Sequence, residues 1–182
     1  MRLFVGIPLT ATVIAELSAI SVRLRSKGDG LRWSAPESWH ITLQFLGNTD
    51  PETYGCTVAR LREVKVAPVP VALEGLGFFD RAGVFFAGVR MTPELALLQE
   101  RVARATEQCG FVPETRPFQP HITLARGKGN GEKRGLAELR ARIVRQPNFT
   151  RFVANEFLLY ESFLGPGGAR HEVRKRFPLG HE

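Results

Sequence analysis

His40-Ile41-Thr42-Leu43 and His121-Ile122-Thr123-Leu124 are the same four residues in the same order, 81 positions apart in a chain of 182. Each copy reads as a half-buried strand. Residues two apart in a strand share a face. His40 and Thr42 therefore stand on one side and Ile41 and Leu43 on the other, and the same holds for His121 and Thr123 against Ile122 and Leu124. Packing asks only for the apolar positions; it does not ask for an imidazole and a hydroxyl between them. The chain has four histidines, and two of them occupy this tetrapeptide. The copies fall at corresponding places in the two halves, which predicts two similar lobes facing each other across a groove.

The flanking sequence supplies the elements around these strands. Arg2 to Pro8 reads as a buried strand. Thr10 caps a helix to about Lys27, with Val13, Leu17, Ile20 and Leu24 on one face. Leu31 to Ser34 is a short strand and Trp39 to Leu46 a longer one. Asp50 and Pro51 start a helix to about Glu63. Val71 to Phe79 and Val84 to Arg90 read as strands, and Thr92-Pro93 starts a helix that Gly110 ends. His121 to Ala125 is a strand, Gly127 to Gly131 a mobile lid or hinge, and Glu132 to Val144 a helix. Asn155 to Leu164 and Val173 to Leu179 close the chain, separated by the loop Gly165-Pro166-Gly167-Gly168. Strands and helices mix without strict alternation. The expected class is α+β: two similar lobes, each with a mainly antiparallel sheet and outer helices, within one domain spanning residues 1–182.

The composition fits an ordinary globular protein, 43% hydrophobic and 24% charged. The net charge of +7 and pI near 10.1 favour polyanionic partners, of which nucleic acid is the commonest. Cys56 and Cys109 form no zinc pattern and suit a reducing cytosol in which both stay thiols. The N-terminus lacks the features of a signal peptide, and no segment has the apolar length of a membrane span. The expected location is the cytoplasm, and no membrane is an expected partner.

If the two motifs meet, they form a site of two histidines and two threonines. One imidazole can be neutral while the other is protonated near neutral pH. The neutral ring takes a proton from water, and the charged ring gives one to a leaving oxygen. Thr42 and Thr123 can donate to non-bridging oxygens, and Arg126 can add charge. The set suits metal-free chemistry at phosphorus. No nucleophile elbow, Walker loop or acidic metal cluster offers another route.

Trp33 to Gly47 around the first motif, and Arg116 to Arg126 around the second, resemble the motif regions of the two-histidine phosphoesterases. The branch that they resemble is the RNA 2′,3′-cyclic phosphodiesterases, also called 2′-5′ RNA ligases. Arg2 to Pro8 and Glu161 to Leu164 resemble it as well, so the likeness runs over essentially the whole chain. It implies hydrolysis of RNA 2′,3′-cyclic phosphate ends, or of nucleoside 2′,3′-cyclic phosphates, to 2′-phosphates. It implies no cofactor, no metal and no obligate protein partner, in a monomer. His40 would protonate the departing 3′ oxygen and His121 would activate water, although the sequence itself is symmetric between them. Thr42, Thr123 and Arg126 would hold the phosphate, and Phe45 would shape the nucleotide pocket or pack in the core.

Phe45 and Arg126 have the wrong strand parity to share a face with their histidines. Both reach the groove only if the strand ends, twists or bulges before them. Near the end of the chain, Ala169-Arg170-His171 stands where the family often has an aromatic; His171 could touch substrate or stand as a solvated loop residue, and His181 reads as part of a disordered terminus. Trp33 could stack on a base, whereas Trp39 points to the apolar side. The basic run from Arg126 to Arg145, and that from Arg170 to Arg176, would either steer RNA or form solvated faces. Two rivals use the same residues. A reversible 2′-5′ RNA ligase would run the acid and base backwards, and a non-catalytic RNA-binding module would need only the basic clusters.

Overall fold

The computed structural model describes residues 1–129 and 132–180. In chain order the elements are β1 (Arg2–Pro8), α1 (Ala11–Leu24), β2 (Leu31–Trp33), β3 (His40–Asn48), α2 (Pro51–Arg62), β4 (Val69–Val71), β5 (Leu73–Phe79), β6 (Val84–Val89), α3 (Pro93–Glu107), β7 (His121–Gly127), α4 (Glu132–Arg142), β8 (Phe152–Ala154), β9 (Glu156–Gly165) and β10 (Gly168–Pro178). The helix starts follow the capping residues. Thr10, Asp50 and Thr92 each accept a hydrogen bond from the backbone N–H three residues on, and Pro51 and Pro93 open their helices.

Two antiparallel sheets of four strands carry the architecture, in the orders β10-β9-β1-β3 and β2-β7-β6-β5. The fold is α+β, as expected. The apolar faces of both sheets and the helices merge into one core. Ile7 of β1, Ile41 and Leu43 of β3, Phe85 of β6 and Ile122 and Leu124 of β7 pack there with Leu17 of α1, Leu98 of α3 and Leu139 of α4. Each motif strand contributes its isoleucine and leucine to this core, and β3 and β7 lie next to one another where the sheets meet. A second, small cluster of Phe4, Leu158 and Tyr160 lies outside it, in contact with the His40 ring.

Four expectations change. The run from Val71 to Phe79 divides at Ala72, and its first part pairs with Phe152–Ala154 to make a separate two-stranded ladder. β10 begins at Gly168 rather than Val173, because the chain turns tightly after Gly165 and pairs with β9 at once. α1 and α4 stop at Leu24 and Arg142, short of Lys27 and Val144. Cys56 of α2 and Cys109, just beyond α3, do not stay thiols: they form a disulfide. The two helices pack together, which brings residues 53 positions apart within bonding reach. Part of the Gly127–Gly131 lid, Asn130 and Gly131, and the terminal His181 lie outside the described residues. No described helix is long and apolar enough to cross a membrane.

Candidate active site

Both motif strands carry the same irregularity. On β3 the register against β1 shifts between Thr42 and Gln44, leaving Leu43 as the extra residue. On β7 the register against β6 shifts between Thr123 and Ala125, leaving Leu124 as the extra residue. A bulge reverses strand parity beyond it. His40, Thr42 and Phe45 therefore share one face, with Gln44 turned inward to accept a hydrogen bond from Thr106. On β7, Ala125 is buried and Arg126 exposed, so Arg126 rejoins the face of His121 and Thr123. Phe45 is 72% exposed, not core, and its ring lies 6.1 Å from Phe4.

The two imidazoles are held alike. Nδ1 of His40 lies 2.7 Å from the Ser38 carbonyl oxygen, and Nδ1 of His121 lies 2.7 Å from that of Gln119. A carbonyl only accepts, so each Nδ1 carries the proton and donates it. The remaining nitrogen, Nε2, is then the one that exchanges protons with a ligand. In His40 it sits 2.9 Å from the Thr42 hydroxyl, which donates to it. Aromatic walls fix both rings further. His40 packs against Phe4 at 4.5 Å and Tyr160 at 5.7 Å; His121 packs against Phe79 at 4.9 Å and Phe86 at 5.4 Å. Gly6 allows β1 to pass beneath His40. A Cβ at that position would lie 2.8 Å from the Ile41 carbonyl oxygen and 3.5 Å from His40 Cδ2.

Burial disfavours the imidazolium form of both rings. It holds His40 down to about 4, with the charges of His171 and His121 acting in the same direction. It lowers His121 as well, where the Arg126 guanidinium adds repulsion. The charge of His121 thus acts on His40, and that of Arg126 on His121, across the space between the neighbouring strands β3 and β7. An anion in that space would favour protonation of either ring.

Sequence reasoning missed Arg32 here and left His171 open between a substrate contact and a solvated loop residue. His171 is not a solvated loop histidine. It lies on β10 opposite Ser162, partly buried, with its ring edge-on to His40 at 5.1 Å and to Phe4 at 4.9 Å. Arg32 on β2 stands directly opposite Arg126, both exposed. Like charges in opposed register repel, so the pair gains from an anion between them. The signals for both are strand pairings, which no local pattern reveals.

Other candidates are taken up by the fold. The Trp33 indole donates to Asp29 at 2.9 Å, and Trp39 is buried in the core. Much of the basic surface is matched internally. Arg134 meets Glu138, Arg140 meets Asp80, and Arg142 donates to the Leu24 carbonyl oxygen. Arg170, Arg174 and Arg176 meet Glu172, Glu161 and Glu156. A cavity of about 370 Å³ near Arg23, Arg142 and Arg145 has none of the histidines in its lining.

Residues 12–162 match the family described as the 2′-5′ RNA ligase superfamily. An RNA 2′,3′-cyclic phosphodiesterase of Geobacillus stearothermophilus is 37% identical over 71% of this chain, a match that spans 42% of that protein. One from Archaeoglobus fulgidus is 30% identical over 92% of this chain and 94% of its own length. The crystal structure of Escherichia coli LigT complexed with 3′-AMP superposes with a TM-score of 0.82 at 26% identity, covering 98% of this chain and 97% of that one.

Proposed function

The chain belongs to the 2′-5′ RNA ligase superfamily, and from that premise we propose that it hydrolyses 2′,3′-cyclic phosphates at RNA ends with two histidines and no metal. One observation carries the proposal. Two imidazoles on corresponding strands are each pinned through Nδ1 by the carbonyl two residues before, leaving two Nε2 atoms to work on one substrate. The relatives named RNA 2′,3′-cyclic phosphodiesterase supply the substrate class. The two lobes would act as one unit, as a monomer; the Cys56–Cys109 disulfide takes away the support that free thiols gave to a cytoplasmic location.

In the proposed reaction a water oxygen attacks phosphorus and its proton passes to Nε2 of His121. The bond from phosphorus to the ribose 3′ oxygen breaks, and Nε2 of His40 protonates that oxygen. The product is a 2′-phosphate. Thr42, Thr123 and Arg126 would hold the non-bridging oxygens, whose charge raises the affinity of His40 for its proton. Phe45 would offer the nucleotide an exposed ring.

The test is product identity with EDTA present. A nucleoside 2′,3′-cyclic phosphate should give only the 2′-phosphate by phosphorus NMR, at the rate seen without chelator. Formation of the 3′-phosphate, or loss of turnover on chelation, would overturn the proposal. A ligase would instead join cleaved RNA halves under the same conditions.

A pH dependence follows from the same burial. The pair needs one proton in total, and the singly protonated pair is most populated between the two titrations. His40 titrates at about 4 and His121 below its ordinary 6.5. The value of kcat/KM, which reports the free protein, should therefore peak on the acid side of pH 6.5 and fall about tenfold per unit above it. A profile still rising at pH 8 would contradict this.

A further inference from the structure

We infer that Arg32 completes an anion site with Arg126, and that the two guanidinium groups together hold the phosphate monoester product more tightly than the cyclic substrate. The inference rests on the cyclic phosphodiesterase reading and extends it to a residue outside both motifs. Arg32 of β2 is paired with Arg126 of β7. The register decides where both point. Trp33, one residue on, is paired with Ala125, and Ala125 in turn with Phe85. The Trp33 and Phe85 rings meet edge-on at 5.8 Å against the core. Side chains alternate along a strand, so Arg32 and Arg126 turn to the opposite face, that of His121 and Thr123.

Both guanidinium groups are open to an anion. Elsewhere the chain neutralises its arginines: Arg170, Arg174 and Arg176 of β10 each meet a glutamate. Among the described residues, no carboxylate lies within ion-pair reach of Arg32 or Arg126. Asp29, the acid nearest Arg32 along the chain, is taken up by the Trp33 indole and by the backbone N–H groups of Ser26 and Leu31. The stem of Arg32 is nonetheless placed. The turn between β9 and β10 comes down beside it, where a Cβ on Gly168 would stand 3.8 Å from Arg32 Cδ.

The proposed reaction says which anion belongs there. The cyclic phosphate carries one negative charge. Hydrolysis converts it to a monoester whose second ionisation falls at about pH 6, so the product is mainly a dianion near pH 7. Phosphorus stays on the 2′ oxygen, and the added charge develops on the oxygens that Arg126 would hold. A guanidinium fork matches two phosphate oxygens at once. At equal distance, a second cation attracts a dianion about twice as strongly as a monoanion. The pair therefore favours the product over the substrate, and 2′-phosphates inhibit the reaction that makes them.

The experiment measures product binding and turnover in the same variants near pH 7. Arg32→Gln should weaken the binding of adenosine 2′-phosphate, read by calorimetry, about tenfold, the scale of one charge-assisted hydrogen bond at an exposed site. The KM for adenosine 2′,3′-cyclic phosphate, which has half the charge to lose, should rise only about threefold. Arg32→Lys, which keeps the charge without the fork, should recover part of the binding. Arg126→Gln should also weaken the product, and in the double variant the two losses should not simply multiply, because one phosphate couples them. Unchanged product affinity in Arg32→Gln would overturn the inference, as would equal weakening of product and substrate. Absence of turnover in the unaltered protein would remove the cyclic phosphodiesterase reading; the calorimetry needs no turnover and would still decide whether Arg32 and Arg126 hold a phosphate.

Discussion

His40→Ala should reduce kcat/KM for a nucleoside 2′,3′-cyclic phosphate by about a thousandfold, and His121→Ala by a similar factor. Acid or base catalysis by one positioned group contributes roughly a hundredfold to ten-thousandfold. A thousandfold corresponds to about 4 kcal/mol of barrier. On the proposed mechanism the two groups serve a single displacement, so the double variant should be little worse than either single one. Neither truncation should unfold the protein, because both rings lie outside the main core and the losses are confined to their aromatic contacts and to the ring hydrogen bonds with Ser38, Thr42 and Gln119. Steady-state kinetics with far-UV circular dichroism would check both parts. Retained turnover in both variants would end the proposed mechanism. RNA binding that persisted with no activity in the unaltered protein would favour a binding module, although the internal pairing of Arg140, Arg170, Arg174 and Arg176 leaves that rival less charge to work with.

Opening the Cys56–Cys109 bridge should cost a large part of the protein's stability without touching either histidine. The bond closes a loop of 53 residues. Loop-closure entropy for that length gives about 4 kcal/mol as the stabilisation of the folded state. For a chain of this size that is a fall in Tm of about 10 °C. Both cysteines are partly exposed, so dithiothreitol should reach the bond, and Cys56→Ala with Cys109→Ala should melt like the reduced protein. Activity at low temperature should survive, since the bridge joins α2 to the end of α3 and touches neither histidine. Equal melting temperatures with and without reductant would refute this.

Much of this was legible in the sequence, for a definite reason. Helix starts are local events, and Thr10, Asp50 and Thr92 announced them. Strand parity is local too, so the facing of His40, Thr42, His121 and Thr123 followed from counting, and Ile41 and Ile122 are fully buried as counted. Parity also required that the strand end, twist or bulge before Phe45 and Arg126. It could not say which residue bulges, because Leu43 and Leu124 look like any core leucine and the shift shows only against β1 and β6. Distant pairings were hidden. Arg32 meets Arg126, His171 meets Ser162, Val69–Val71 meets Phe152–Ala154, and Cys56 meets Cys109. Each depends on a partner far along the chain, and Pro70 and the Gly165–Gly168 turn argued locally against the strands that form there.

The matched bulges have one more consequence. Two rings set in near-identical frames would accept a phosphodiester in either direction, and attack could then free either ribose oxygen. The tie is broken five residues beyond each histidine, where one frame presents the ring of Phe45 and the other the guanidinium of Arg126. On the proposed mechanism, an exposed ring at one end and an exposed guanidinium at the other would give the site a head and a tail. On the proposed mechanism, regiochemistry would then be set by the side chains that follow the two leucines.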